Sequence, residues 1–518
     1  MKFNMKRDIK SVIVAAALLL PFAAAAQSVT ANEYIKAGSL WYNSQNSAGF
    51  AFAPLKNFNE VKVGYDYNNG DYKRQQQGDK ESTINFNTNG AYNLNGFQLW
   101  GNFDYSNINV KDARFNTMLY NPLRDMPYMV ADTVYSKIKK QSYVLNLKGS
   151  SPVFGDFVSF GLNADYIAQT SAKQNDPRST DYYYHIFVNP SVLFRLGSES
   201  NHFIGANFNY KNSFERTEPD LSDSQRDQPI YIMKGLGYYT PGVVGGVGGI
   251  HTFFYKGNSF GGGLEYAYTG AVEILAEANY KYLVENAYQT PSKPEKMGSI
   301  KQNLYEGKLQ MLYKGNNTHK VTASYSDKNS DGIEYVQVFD RDENVQNWVT
   351  LAKFIKSNYH MQKAAINYDF FAPMQEMGYN WHAGAFVNYT KQDDEYYLPN
   401  TVLKAENIYF NVFAKKNFRV CKSSFLLAGL DFGYNSNVSG KWAFGGPEPN
   451  SVLIREWFNK DYAYLTSNYY TVGAAVNYST AITSKVDLFV DAKAKYCKPS
   501  EDTFSDRWAM TFAVGIAF

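Results

Sequence analysis

From Trp508 to Phe518 the large apolar side chains fall on every second position. Trp508, Met510, Phe512, Val514, Ile516 and Phe518 occupy one face of a strand, and Ala509, Thr511, Ala513, Gly515 and Ala517 occupy the other. The same period of two recurs along the chain. It predicts eighteen strands near 58–69, 80–93, 95–110, 137–150, 155–172, 181–196, 200–213, 258–270, 271–287, 299–314, 317–327, 357–372, 379–393, 403–416, 421–438, 466–481, 485–499 and 505–518. Most exceed the roughly 9–11 residues that a tilted strand needs to cross a bilayer. The segments between them alternate in length. Even-numbered strands are followed by short links, such as 94–96, 197–200 and 315–317, and odd-numbered strands by mostly longer ones, such as 111–136, 214–257, 328–356 and 439–465. Short turns at one end of a barrel and long loops at the other produce this parity, and it puts both chain termini at the short-turn, periplasmic end.

The strand faces opposite the apolar ones carry charge. Glu273, Glu277 and Lys281 alternate with Val272, Ile274, Ala276, Ala278 and Tyr280; Asp487, Asp491, Lys493 and Lys495 alternate with Val486, Leu488, Val490, Ala492 and Ala494; Lys363, Asp369 and Asp431 fall in similar sets. A charge directed at hydrocarbon near the bilayer midplane costs roughly 2–4 kcal/mol, so these ten side chains are expected to line a lumen. Both signs are present. They can border a water-filled channel, or form ion pairs that cross-link the wall and close it.

The expected fold class is therefore all-β, a transmembrane antiparallel up-and-down barrel of about eighteen strands (range 14–18), with short periplasmic turns and long extracellular loops. The final strand resembles the C-terminal assembly signal of Gram-negative outer-membrane barrels, carried by Trp508, Met510, Phe512, Val514, Ile516 and Phe518. That resemblance is to porin-like barrels and to poorly characterised outer-membrane barrels of about this length. It implies the cell outer membrane, with outer-membrane lipid, periplasmic chaperones and the barrel-assembly machinery as partners. The N-terminus agrees: Lys2, Lys6, Arg7 and Lys10 precede an apolar run that ends in Ala24-Ala25-Ala26, the pattern of a cleaved signal peptide over 1–26. Beyond Gln27 no apolar run is long enough for a membrane-spanning helix.

Residues 27–57 precede the barrel, which spans 58–518. They are too few for the folded plug of an energy-coupled transporter. Asn46-Ser47-Ala48-Gly49-Phe50 resembles the Asn-Pro-Ala-Gly-Leu segment of fatty-acid-transporter-like barrels, differing at Ser47 and Phe50, and that resemblance implies a hatch seated in the barrel mouth. Thr30-x-x-Glu33 has the form of a capping box for a short helix there.

Composition narrows the chemistry further. The chain has 51 Lys+Arg against 48 Asp+Glu, and without 1–26 there are 47 of each, so no basic face for nucleic acid is expected. Aromatic residues make up 17%, which fits belts of Tyr and Trp at two lipid–water boundaries. Six histidines are scattered without metal-ligand spacing, and no nucleophile elbow occurs, so neither enzymatic activity nor a cofactor or metal is expected. The loop 214–257 can fold into the lumen and present Arg216, Glu218, Asp220, Asp223 and Arg226 to a solute, and Trp348, Trp442, Phe444, Trp457 and Phe458 in other loops can stack on sugars or pack on one another. Cys421 and Cys497 fall at opposite ends of the barrel, too far apart for a disulfide. The expected function is a passive or substrate-selective pore for an unidentified small solute, the alternative being a non-conducting scaffold or surface-complex subunit with an occluded lumen.

Overall fold

A computed structural model describes residues 28–518, apart from 118, 198–199, 224–225, 246–251, 291, 342–345 and 375–377. The signal peptide expected over 1–26 lies outside the described residues. The chain opens with helix α1 (Val29–Ala37) and a 3-10 turn (Ser47–Ala51). Then follow β1 (Phe58–Gly70), β2 (Lys80–Leu94), β3 (Phe97–Ala113), β4 (Val130–Ala131), β5 (Ser136–Ser150), β6 (Val158–Lys173), β7 (Arg178–Arg195) and β8 (His202–Asp220). β9 (Gln228–Gly235), β10 (Tyr238–Val244), β11 (Phe253–Thr269), β12 (Val272–Gln289), β13 (Glu295–Lys314), β14 (Thr318–Asp340) and β15 (Asn347–Met374) come next. The last are β16 (Gly378–Tyr396), β17 (Thr401–Cys421), β18 (Ser424–Ala443), a π-helical turn (Leu453–Phe458), α2 (Asn459–Leu465), β19 (Tyr469–Thr483), β20 (Val486–Pro499) and β21 (Arg507–Ala517).

Eighteen of these strands pair antiparallel with their neighbours, and β1 pairs with both β2 and β21, so the sheet closes on itself. The seam is fastened by reciprocal bonds between the backbones of Asn59 and Phe518, at 2.7 and 3.0 Å. Closure leaves no row of unpaired backbone groups, the condition a sheet must meet to sit in hydrocarbon. β4, β9 and β10 form a separate three-stranded sheet built from the long loops that follow β3 and β8.

The outward face is apolar and uncovered. Leu430 is 69% exposed, Leu264 68%, and Phe512, Met510, Val514 and Trp508 are exposed beside them on the barrel wall. An uncovered apolar surface running round a whole barrel has one stable surrounding, a lipid bilayer. Small residues of β21, such as Ala513 and Ala517, are buried on the other face.

All eighteen strands expected from periodicity are present, and several are longer. The β14–β15 hairpin runs to Asp340 and Asn347 where a loop over 328–356 was expected, because β-branched pairs such as Val338 with Val349 continue the ladder past the apolar band. The long loop after β8 is a β9–β10 hairpin, and β8 itself continues to Asp220. That extension corrects the expected solute path. Arg216 and Glu218 pair with each other on the exposed face of β8, and Asp223 pairs with Arg226 in the solvent-exposed loop, so the inward residues of this stretch are instead Glu215 and Thr217. The loop aromatics pack on one another. Trp442 stacks on Phe458, Trp457 on Phe458 and Phe115, and Trp348 sits edge-on to Phe339. Cys421 and Cys497 are both free thiols.

Leu430 lies on the outward face midway between Leu426 and Tyr434 of the same strand. Leu430→Arg is expected to cost about 2–4 kcal/mol of folding free energy in lipid, whereas Asp431→Asn, one residue along on the inward face, leaves it nearly unchanged. Urea-dependent refolding into vesicles, followed by heat-modifiable mobility on gels, checks both.

Candidate functional site: the lumen, its hatch and its cap

Residues 28–57 lie inside the barrel at the short-turn end. α1 begins at Ser28, whose Oγ accepts from the Ala31 N–H, so Ser28 and not Thr30 caps the helix. Glu33 does not complete a capping box. Its carboxylate instead accepts from Lys415 Nζ at 3.1 Å and from the Tyr379 hydroxyl. Burial would raise the Glu33 pKa, but the Lys415 cation and these hydrogen bonds outweigh it and hold it below the usual carboxylate value. At the other end of α1 the wall takes the last helical carbonyl, Lys320 Nζ donating to that of Ala37 at 2.9 Å, and just beyond the helix Gln310 Nε2 donates to the Leu40 carbonyl at 3.2 Å.

The Asn46-Ser47-Ala48-Gly49-Phe50 segment forms the second anchor. Asn46 Oδ1 accepts from the Ala48 N–H at 3.0 Å and starts the 3-10 turn, while its Nδ2 donates to the Val192 carbonyl at 3.0 Å and to Glu265 at 3.2 Å. Gly49 is required by packing, since a Cβ there would lie 2.0 Å from the Trp41 indole. Gly161 on the wall is required in the same way, because a Cβ would lie 2.3 Å from the Ala48 nitrogen. Leu40, Trp41, Phe50 and Leu55 form an apolar core with wall residues Leu193, Phe203, Leu275 and Leu312, all at most 6% exposed. The segment is a hatch: apolar in its centre and tied by polar side chains at its rim.

Of the residues singled out from periodicity, Glu277 holds the hatch directly. It accepts from Ser44 Oγ at 2.6 Å and the Gln45 N–H at 3.2 Å, and pairs with Lys308 at 3.2 Å. Glu273 pairs with Lys314 beside the hatch, Lys281 with Glu306, Asp369 with His382 and Asn367, Asp431 with Lys495, and Asp491 with Lys493. Asp491 and Lys493 border a crevice between α1 and the wall, together with Glu33 and Lys36. Lys363 lines a chamber of about 330 Å³ above the hatch, with Asn279, Asn388 and Ser324, and Asp487 is buried near the end of β20. Periodicity did not single out Glu265, Lys148, Lys308, Lys320 or Lys415, which also bind the hatch. Lys148 Nζ donates to the Tyr42 and Ser44 carbonyls at 2.9 and 3.0 Å.

Around the mid-height of the wall from β2 to β12 runs a belt of amides. Asn87 bonds Asn102, Asn102 bonds Asn146, Asn146 bonds Asp165, Asn189 bonds Asn207, and Asn207 bonds Asn279, at 2.8–3.2 Å. Such a surface is polar, and its amides also donate to the carboxylates of Asp104 and Glu265. At the long-loop end, Phe115, Tyr128, Met129, Ile230, Met233, Leu453 and Trp457 pack on wall residues Phe253, Tyr255 and Ile300 as a second apolar cap. Arg124 pins it, with Glu215 and Glu285 each 2.7 Å away. Burial would lower its pKa, but the two carboxylates hold it above the ordinary arginine value. Among the described residues no group of three or more His, Cys, Asp or Glu is placed to hold a metal.

A closed antiparallel eighteen-stranded barrel with an apolar exterior and a filled polar interior is a transmembrane β-barrel of the outer-membrane type. The chain belongs to the family of unknown function DUF6850, whose profile matches residues 47–518. A search of curated proteins returned no match. Among solved structures, the chain is similar to BauA, the ferric preacinetobactin receptor of Acinetobacter baumannii (8% identity, TM-score 0.40, 89% of this chain and 80% of that one). It is similar too to the ferric-catecholate import receptor Fiu of Escherichia coli K12 (9%, 0.38, 89% and 81%) and to the outer-membrane transporter YddB of Escherichia coli (10%, 0.38, 90% and 81%).

Two outcomes follow from this geometry. Glu277→Ala removes two hydrogen bonds to a charged acceptor, each worth about 1.5–3 kcal/mol, and is expected to raise hydrogen exchange and protease cleavage over 43–47 while the barrel keeps its heat-modifiable mobility. Because docking lowers the Glu33 pKa from 4.5, its contribution is complete above that value and is lost as pH falls through the docked pKa. Protection from hydrogen exchange over 29–37, taken relative to the intrinsic amide rate at each pH, is therefore expected to stay flat from neutral pH to about 4.5 and fall below it, and Glu33→Gln to be less protected at neutral pH with a weaker acid response.

Proposed function

We propose that this protein is a gated, solute-selective conduit of the outer membrane, acting by passage and not by catalysis, in which residues 28–57 are the gate. The observation that carries this reading is how the hatch is held. Lys148, Glu265, Glu277, Lys308, Lys320 and Lys415 stand on six different strands, and each bonds the hatch and not a neighbouring strand alone. Those charges would line an aqueous lumen once the hatch withdrew, and the amide belt and the Lys363 chamber already supply a polar path above it.

The parity of the links supports an orientation with both termini, and hence the hatch, on the periplasmic side. The alternating terminal strand supports delivery by periplasmic chaperones to the barrel-assembly machinery. A non-conducting scaffold has its own supporting observation, the second apolar cap at the long-loop end. Planar-bilayer recordings separate the two. The intact protein is expected to be silent, and the protein lacking 28–57, with its heat-modifiable fold retained, to give steady single-channel steps. Silence from that folded deletion would leave the scaffold reading in place.

A further inference from the structure

The cap at the long-loop end does not meet the wall all the way round. Between it and the inward faces of β15 and β16 lies a half-enclosed cleft of about 160 Å³. An engineered cavity of roughly 150 Å³ accepts benzene, so this cleft has room for about one aromatic ring. Its composition differs from that of the rest of the lumen. Four of the chain's twelve methionines, Met126, Met129, Met233 and Met361, line it together with Trp457 and Phe458. Thioethers and aromatic rings make a polarisable, adaptable lining suited to an aromatic guest.

The charges in the cleft are unequal. Arg74 is taken by Asp461, with Nε 2.8 Å from the carboxylate, and Lys328 is taken by Asp125. Asp394 has no cation within ion-pair distance among the described residues. Its carboxylate accepts from Gln392 Nε2 at 2.5 Å, and the residue is 8% exposed. Directly across the ladder from it stands Tyr359, whose hydroxyl is buried. Three carboxylates thus face two cations, and the one left over, Asp394, is itself buried. A buried carboxylate is stabilised by a cation that brings its own hydrogen bonds.

The geometry points to a binding site in this cleft for a small organic cation, an ammonium or amidinium carried on an aromatic or compact apolar body. The charged nitrogen pairs with Asp394 and reaches the Tyr359 hydroxyl. The apolar body lies against Met233, Met361 and the edge of Trp457. The assignment is independent of conduction, because it rests on the cleft alone and is read by binding.

Calorimetric titration of the detergent-purified full-length protein with benzylamine at neutral pH, where it is protonated, tests it against the near-isosteric benzyl alcohol and against benzoate. Benzylamine is expected to bind at least tenfold more tightly than benzyl alcohol, and benzoate not at all. Asp394→Asn is expected to abolish that advantage while leaving benzyl alcohol affinity unchanged, which shows that the cleft is still formed. Met361→Trp, which fills the cleft from the wall, is expected to remove both. Equal affinity for the amine and the alcohol, an advantage that survives Asp394→Asn, or no binding by either compound would overturn the assignment.

Discussion

The constraint on which everything else depends is the absence of a free sheet edge. Backbone amides and carbonyls left unpaired in hydrocarbon cost several kcal/mol each, so β1 must find β21, and Asn59 must find Phe518. Once the cylinder is closed, a period of two allows only two environments. Every second side chain meets lipid, and the others must share a cylinder that eighteen strands make too wide to fill from the wall alone. The interior therefore poses a second problem, which this chain meets with inserts at both ends and a polar belt between them.

The two inserts use different physics. At the short-turn end, the hatch buries Trp41, Phe50 and Leu40 against apolar wall positions, but its outline is drawn by charged hydrogen bonds from separate strands. Hydrophobic burial does not specify direction, whereas an N–H···O bond does, so the wall charges fix where the hatch sits and the apolar core fixes how firmly. The Ala37 carbonyl that α1 leaves open and the Leu40 carbonyl beyond it are satisfied by Lys320 and Gln310, so withdrawing the hatch would expose unpaired groups on both partners. A plug joined this way has a strong preference for one seated position. At the long-loop end the cap is a small core of its own, with Arg124 between Glu215 and Glu285 as its polar anchor.

The barrel was legible because closure and lipid repeat one rule along the whole chain, and the link lengths repeat another. The hatch was legible only in outline. Asn46 to Phe50 marked it by resemblance, while the wall residues that receive it read as ordinary lumen charges, since Lys308 and Glu277 obey the same alternation whether they meet water or a peptide. One signal was present all the same. Leu275 stands among Glu273, Glu277 and Lys281 on an otherwise charged face, and Phe489 stands between Asp487 and Asp491; both are at most 2% exposed, Leu275 beneath the hatch and Phe489 in the crevice beside α1. Apolar residues interrupting a polar lumen face are the footprint of whatever fills the lumen. The inward turn of Glu215 was hidden for the opposite reason: from Glu215 to Asp220 both faces of β8 carry polar residues, and periodicity no longer distinguishes them.

That footprint argument also separates a filled barrel from an empty one. In a barrel whose only interior content is water, an inward Leu or Phe gains nothing from its position, and the polar face should read without interruption. Here the interruptions fall in two groups, Leu193, Phe203, Leu275 and Leu312 at the hatch, and Phe253, Tyr255 and Ile300 at the cap, with the amide belt from Asn87 to Asn279 between them. The buried apolar wall positions gather at the two inserts, and between them the wall from β2 to β12 is hydrophilic. A scaffold filled for rigidity has no physical need of a polar middle, because apolar packing there would stabilise it further at no cost in specificity. The amide-lined compartment between hatch and cap is what supports the proposed conduit over the scaffold.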